Sequence, residues 1–203
     1  EEPSSQEDLE KIPMLTREDI SREIAPIYNE EMKIADIPTV FHEIETNGIG
    51  YLDLMFDLSD VPEKNLPMVG LLQAVLGIID TEHYEYGELF NEINRHTGGI
   101  ETSLELYPDV MKVKEKEFKA TFEIKGKALY GQIPFAIRMM KEILTASKLD
   151  DEKRLKEILS MTKTRLQDRF LSAGHSAAAL RAMSYKSPIS KFKDTTNGIE
   201  YYQ

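Results

Sequence analysis

Hydrophobic positions fall into a two-residue alternation three times along the chain. Leu52, Leu54, Phe56 and Leu58 alternate with Tyr51, Asp53, Met55 and Asp57. Ile100, Thr102, Leu104 and Leu106 do so with Glu101, Ser103, Glu105 and Tyr107, and Phe118, Ala120, Phe122 and Ile124 with Lys119, Thr121, Glu123 and Lys125. A period of two marks strands with one face on a core and the other in water. The stretch Pro108 to Lys116 has turn and charge character, which predicts that the last two form an antiparallel hairpin. A further strand is expected over Thr39 to Glu45, followed by a turn at Asn47-Gly48.

Other segments repeat at helical spacing. Asp60-Val61-Pro62-Glu63 opens a helix over about Lys64 to Ile79 that is apolar nearly all round, the pattern of a central helix covered on most sides. A second helix over Tyr86 to Thr97 places Leu89, Phe90 and Ile93 inward and ends at Gly98-Gly99, since glycine accepts a left-handed conformation there. Gly131 to Ala146 is amphipathic. Asp150-Asp151-Glu152 then puts negative charge at the start of a long helix striped with Leu155, Ile158, Leu159, Thr162, Leu166, Phe170 and Ala173. Its small residues from Ser172 to Ala182 allow close approach of another element, and Ser187-Pro188 ends it. Near the start, Thr16 with Asp19 is a capping-box variant, and Pro26 limits any helix begun there. The expected class is α+β: an antiparallel sheet of four or more strands with helices packed on one face.

Composition narrows the function. With 41% apolar and 30% charged residues over 203 positions, the chain is globular, and no apolar run approaches the ~20 residues of a membrane span. The net charge of −11 argues against nucleic acid, whose phosphates need clustered Lys and Arg. With no cysteine, disulfides, thiolate metal sites and cysteine nucleophiles are excluded. That fits a cytoplasmic or organelle-matrix location, and the acidic, polar start EEPSSQEDLE resembles neither a signal nor a transit peptide.

Candidate chemistry is sparse. The four histidines are His42, His83, His96 and His175, no two of them three or four apart. Glu88, Glu92 and His96 share a helix face and make the best metal set, although zinc prefers more nitrogen or sulfur ligands, and a solvated acidic face explains them as well. His175 reads as a packed or interface residue, His83 as a loop residue, and His42 shares no face with Glu43 beside it. There is no G-x-S-x-G elbow or S-x-x-K, and Gly48-Ile49-Gly50 and Thr97-Gly98-Gly99 lack phosphate-loop spacing. The cluster Arg181, Lys186, Lys191 and Lys193 reads as a solvated loop or as the mate of an acidic partner.

Two segments carry a resemblance. YLDLMFDLSDVPEKNLPMVGLLQAVLGIIDTEHYEYGELFNEINRHTGGIE and SAGHSAAALRAMSYKSPISKFKDTTNGIEYY together resemble the presequence-protease branch of the insulinase/pitrilysin zinc metallopeptidases, in the region that opens the C-terminal half. The resemblance implies a clam shell of four similar α+β domains closing around short unstructured peptides, with zinc in the first domain. It also implies that residues 1–32 are the exit of a helical linker and that 33–203 belong to a single domain continuing past Gln203. In active domains the first helix carries His-x-x-Glu-His. The matching positions here hold Leu71, Ala74 and Val75, none able to bind zinc or move a proton, so no catalytic or metal residue transfers.

The resemblance therefore implies a non-catalytic, chamber-forming domain. Its partners would be the zinc-bearing N-terminal half of the same polypeptide and a peptide substrate, with no nucleic acid and no membrane. Zinc is expected in the parent chain and no cofactor in this piece. The acidity would draw in basic peptides, a capture that added salt should slow. The alternative is a non-enzymatic assembly subunit of the same fold.

Overall fold

In the computed structural model, residues 5, 11, 14–23, 26, 28–109, 111 and 117–203 are described, and the chain divides into two units, Glu1–Glu45 and Thr46–Gln203. In the first, Thr16 donates from both its main-chain N and Oγ1 to Asp19 Oδ2 at 2.8 Å, so the capping-box variant is present on a short 3₁₀ turn, Arg17–Asp19. β1 (Asn29–Ile34) and β2 (Ile37–His42) form an antiparallel hairpin from Asn29↔His42 to Ile34↔Ile37. Its turn is Ala35-Asp36, with φ of 50° and 66°. Positive φ at both central positions suits the twist of a two-residue hairpin, but Asn-Gly is its usual signature. Ala-Asp gives no such signal, and β1 is invisible to periodicity for that reason.

In the second unit, β3 (Ile49–Asp57), β4 (Ile100–Pro108) and β5 (Phe118–Leu129) form a sheet in the order β3-β5-β4, antiparallel throughout. The α+β class holds. The described strands are distributed as three plus two, not as one sheet of four or more, because the strand expected over Thr39 to Glu45 runs instead over Ile37–His42, as β2, and pairs with β1. The Asn47-Gly48 turn is present, with φ of 52° and 83°. The expected β4–β5 pairing is also present, and residues 110 and 112–116 of its connection lie outside the described residues.

The core lies on one face of this sheet. α1 (Leu66–Val75), α2 (Tyr86–His96) and α3 (Ile133–Thr145) bring Leu72, Leu76, Leu89, Ile93, Met139, Met140 and Ile143 against Phe122 and Ile124. Each such side chain, once fully buried, contributes about 1.5–3 kcal/mol. α1 is central, as its composition predicts. Its other side meets Ile158 of α4 (Glu152–Ser172) through Val75, and Ile79, just beyond its end, joins the same cluster. At Gly70 it meets Thr196 of α6 (Pro188–Asn197) so closely that a Cβ would clash with the Thr196 carbonyl oxygen.

Four details differ from the pattern. α1 stops at Val75, not Ile79, because Gly77 takes a φ of 85°. Phe90 is 63% exposed although Leu89 and Ile93 beside it are buried, so the inner face of α2 is narrower than its apolar stripe. The long helix breaks at Ala173, which leaves helical geometry, and α5 (Gly174–Ser184) begins anew. Ser187-Pro188 ends α5 as expected and also starts α6, the Ser187 hydroxyl accepting from Ser190 N at 3.3 Å. A final turn, α7 (Ile199–Tyr202), follows.

Candidate functional site

The side chains expected at the zinc-motif positions, Leu71, Ala74 and Val75, are hydrocarbon, and two of them pack in the interior. Leu71 and Val75 contribute to the cluster around Ile158, and Leu72 to that around Phe122. Gln73, between them, ties α1 to the sheet: its carbonyl accepts from Thr102 Oγ1 at 3.1 Å, and its amide reaches the Thr102 carbonyl at 3.5 Å.

The other candidates also resolve into local contacts. Glu92 Oε1 accepts from Arg95 at 2.8 Å, its Oε2 lies 3.6 Å from His96 Nε2, and the His96 ring rests against Phe135 at 4.7 Å. Glu88 is exposed, and among the described residues no three His, Asp or Glu side chains converge as metal ligands. His42 and His175 are exposed, the latter at the start of α5, so of the packed and interface readings of His175 the packed one does not hold. His83 is a loop residue whose Nδ1 lies 3.0 Å from Glu142 Oε1. Burial opposes ionisation of Glu142, but bonds from Thr81 and His83 outweigh it and hold the carboxyl below its usual range.

The basic cluster finds its acidic partners within the chain. Arg181 bonds the buried Asp194 at 2.6 Å and Glu200 at 3.1 Å, and Lys191 bonds Glu200 at 2.6 Å. Lys193 stands instead at the rim of a cavity beside β4.

The polar network that periodicity missed lies on the sheet face opposite the helices. There the register places Asp53, Glu101 and Lys125 in one row, Met55, Ser103 and Glu123 in the next, and Asp57, Glu105 and Thr121 in a third. Alternation predicts that this face is wet, yet Thr121 and Glu123 are buried, at 1% and 0% exposure. Their neighbours cover them. Glu123 Oε1 accepts from Tyr107 at 2.7 Å and from Thr121 at 2.5 Å, and Oε2 pairs with Lys125 Nζ at 2.8 Å. Lys125 also reaches Glu105 at 3.2 Å and Asp53 at 3.9 Å.

One lysine thus serves three carboxylates. Burial disfavours the Glu123 anion, but the bonds from Lys125, Thr121 and Tyr107 prevail and lower its pKa. Asp53 is left with the surplus: partial burial and the neighbouring Glu123 charge raise its pKa. Desolvation together with the Glu123 bond pushes Tyr107 up to about 12. The arrangement fixes and screens charge and presents no nucleophile. The signal for it in the sequence was the run Thr121-x-Glu123-x-Lys125 on the strand that becomes central.

The cavity, of about 380 Å³, lies on the helix side of β4. It is lined by Leu104, Leu106, Phe170, Ala177, Leu180 and Phe192, with Arg169 and Lys193 at its rim.

The profile of the family described as peptidase-associated, for peptidases of class M16 (subfamily C), matches residues 1–203. The chain belongs to that family. It is 37% identical over 200 residues to Protein HypA of Clostridium perfringens, covering 98% of this chain and 20% of that protein. Presequence protease 1, chloroplastic/mitochondrial, of Arabidopsis thaliana is 26% identical over 204 residues, covering 100% of this chain and 18% of that protein. Presequence protease, mitochondrial, of Yarrowia lipolytica is 27% identical over 199 residues, covering 98% and 20%. This peptidase-associated chain thus spans about one fifth of the length of these relatives. Among the described residues no helix is long and apolar enough to cross a membrane.

Proposed function

We propose that this peptidase-associated chain is a non-catalytic wall of the chamber in a zinc metalloendopeptidase that degrades short unstructured peptides. It encloses substrate together with a zinc-bearing N-terminal half of the same polypeptide. Residues 1–32 serve as the exit of the linker between halves, and 33–203 belong to one domain, with a location in the cytoplasm or an organelle matrix. The names of the Arabidopsis and Yarrowia relatives, both presequence proteases, support the substrate class. The observation that carries the reading is the core packing of Leu71 and Val75 where an active domain would hold histidines. Hydrocarbon at those positions stabilises the fold and leaves hydrolysis to another part of the polypeptide.

The test is excision of residues 46–203 from the parent polypeptide. Hydrolysis of short peptides is expected to be lost while zinc measured in the purified protein is retained. Peptide hydrolysis at the parental rate after excision would overturn the proposal.

A further inference from the structure

Asn-Gly occurs twice in the chain, at Asn47-Gly48 and Asn197-Gly198, and the fold treats the two pairs in opposite ways. The dipeptide has a chemistry of its own. The side-chain amide carbon of asparagine lies within reach of the next residue's main-chain nitrogen, and a following glycine, with no Cβ, leaves that approach open. Whether the attack happens depends on how freely the two groups can turn toward each other.

At Asn197 both groups are held. The residue ends α6, Gly198 N donates to the Asp194 carbonyl at 2.9 Å, and Asn197 Oδ1 accepts from Arg169 at 3.1 Å. A second Arg169 nitrogen bonds the Asn197 carbonyl. Ring closure there requires the last helical turn to unwind and Arg169 to let go. Asn47 is under no such restraint. It is exposed, its side chain bonds no described residue, and the Gly48 amide donates to none. A Cβ built on Gly48 would meet no atom within 4 Å, so the reacting nitrogen has open space around it.

The turn is nonetheless tied at its flanks. Ile49 N donates to the Thr46 carbonyl at 3.2 Å, and Tyr130 N, just past β5, donates to the Gly48 carbonyl at 2.9 Å. These bonds seat the entry to β3 and leave the Asn47 side chain and the Gly48 nitrogen free. The turn follows directly on Glu45, where the first unit of the chain gives way to the second.

We propose that Asn47 is a site of spontaneous covalent modification, converting with time to aspartate and isoaspartate at the entry to β3. The Gly48 nitrogen attacks Asn47 Cγ under hydroxide catalysis. A new N–Cγ bond forms, the bond from Cγ to the side-chain nitrogen breaks, and the Gly48 proton ends on the departing ammonia. Water then opens the resulting five-membered succinimide. Attack on Cγ breaks the new bond and gives aspartate in an ordinary main chain. Attack on the Asn47 main-chain carbonyl breaks the old peptide bond and leaves the chain running through Cβ and Cγ, longer by a methylene. Both products add a negative charge, but only the second must fit a longer main chain between Thr46 and Ile49. The bond from Tyr130 to the Gly48 carbonyl is the contact it disturbs first. None of this depends on the peptide-enclosing reading above.

The test is ageing of the full-length parent polypeptide at mildly alkaline pH, followed by digestion and mass spectrometry, with the same incubation in urea as reference. Unfolded, the two Asn-Gly pairs should convert at nearly equal rates. Folded, Asn47 should convert about tenfold faster than Asn197 or more, because Asn197 reacts only after its hydrogen bonds open. Fragment ions that distinguish the two linkages should find isoaspartate at position 47. Hydrogen exchange at Tyr130 should be faster in the aged protein than in a fresh Asn47→Asp variant, which carries the charge without the longer main chain. Survival of Asn47 in the folded parent, or conversion no faster than that of Asn197, would overturn the proposal. Equal exchange at Tyr130 in the two proteins would overturn the longer main chain as the source of the disturbance.

Discussion

The two faces of β5 show what a strand's alternation leaves open. Toward the helices, Ala120, Phe122, Ile124 and Ala128 are buried, Phe122 and Ile124 by hydrocarbon from α1, α2 and α3. Toward the other side, Thr121 and Glu123 are buried just as deeply, but by a tyrosine, a lysine and one another. The first face gains by removing apolar area from water, a non-directional effect tolerant of small shifts. The second holds only while every partner is in place, because a buried charge left alone costs several kcal/mol. Equal burial on two faces thus rests on different physics, and substitutions should separate them.

The largest expected effect is on the apolar face. Ile124→Ala removes a fully buried side chain from the centre of the core and should cost about 3–4 kcal/mol in denaturant unfolding. A loss under about 1 kcal/mol would mean that the helices do not pack tightly on β5.

Next comes the polar face. Lys125→Met strands Glu123 beside Asp53 and Glu105, and it should cost about 2 kcal/mol, less than for a fully enclosed pair since Lys125 is 32% exposed. Adding Glu123→Leu should recover part of that loss, because it removes the stranded charge while leaving Thr121 and Tyr107 without their acceptor. If the double variant is no more stable than the single one, the network is not the source of the cost.

The smallest effect is on pH dependence. The carboxyl of Glu123 ionises more readily in the fold than its reference value of 4.5, so its contribution is fully present above that pH and is lost as pH falls through the lower folded value. Glu142 and Glu200 act in the same sense, Glu200 chiefly through Lys191. Asp53 acts oppositely, since its raised pKa makes its ionisation a cost to the fold that acid removes. Glu123→Gln should therefore flatten, without abolishing, the fall in stability below pH 4.5 measured by denaturant titration. An unchanged acid limb would assign that fall to other carboxyls held below their usual range, among them Asp57, Glu142 and Glu200.

Much of the fold was legible because local rules carried it. The alternation in Leu52 to Leu58, in Ile100 to Leu106 and in Phe118 to Ile124 marked the three strands of the larger sheet. Asp151 caps α4, its carboxylate accepting from Arg154 N at 2.9 Å, as the acidic run implied. β1 was hidden because Ala35-Asp36 reaches positive φ without the residues that usually announce it. The break at Ala173 was hidden because Leu166, Phe170 and Ala173 keep helical spacing up to it. The candidate chemistry divided in the same way. That Leu71, Ala74 and Val75 lack any metal-binding atom is a property of side chains and can be read directly. The tie between Glu123 and Tyr107, sixteen residues apart, needed the register of β4 on β5.

By itself, the sequence determined which residues alternate, where helices are capped and which positions have no chemistry, because these depend on atoms near one another along the chain. Tertiary structure decided that 118–129 would be the central strand, and hence that its polar side would be buried. It also decided that Phe90 would face outward and that a cavity would form beside β4. Those outcomes turn on which neighbour lies over each face, and neighbours are set by the order of the strands and the crossing of helices, which no window of adjacent residues contains.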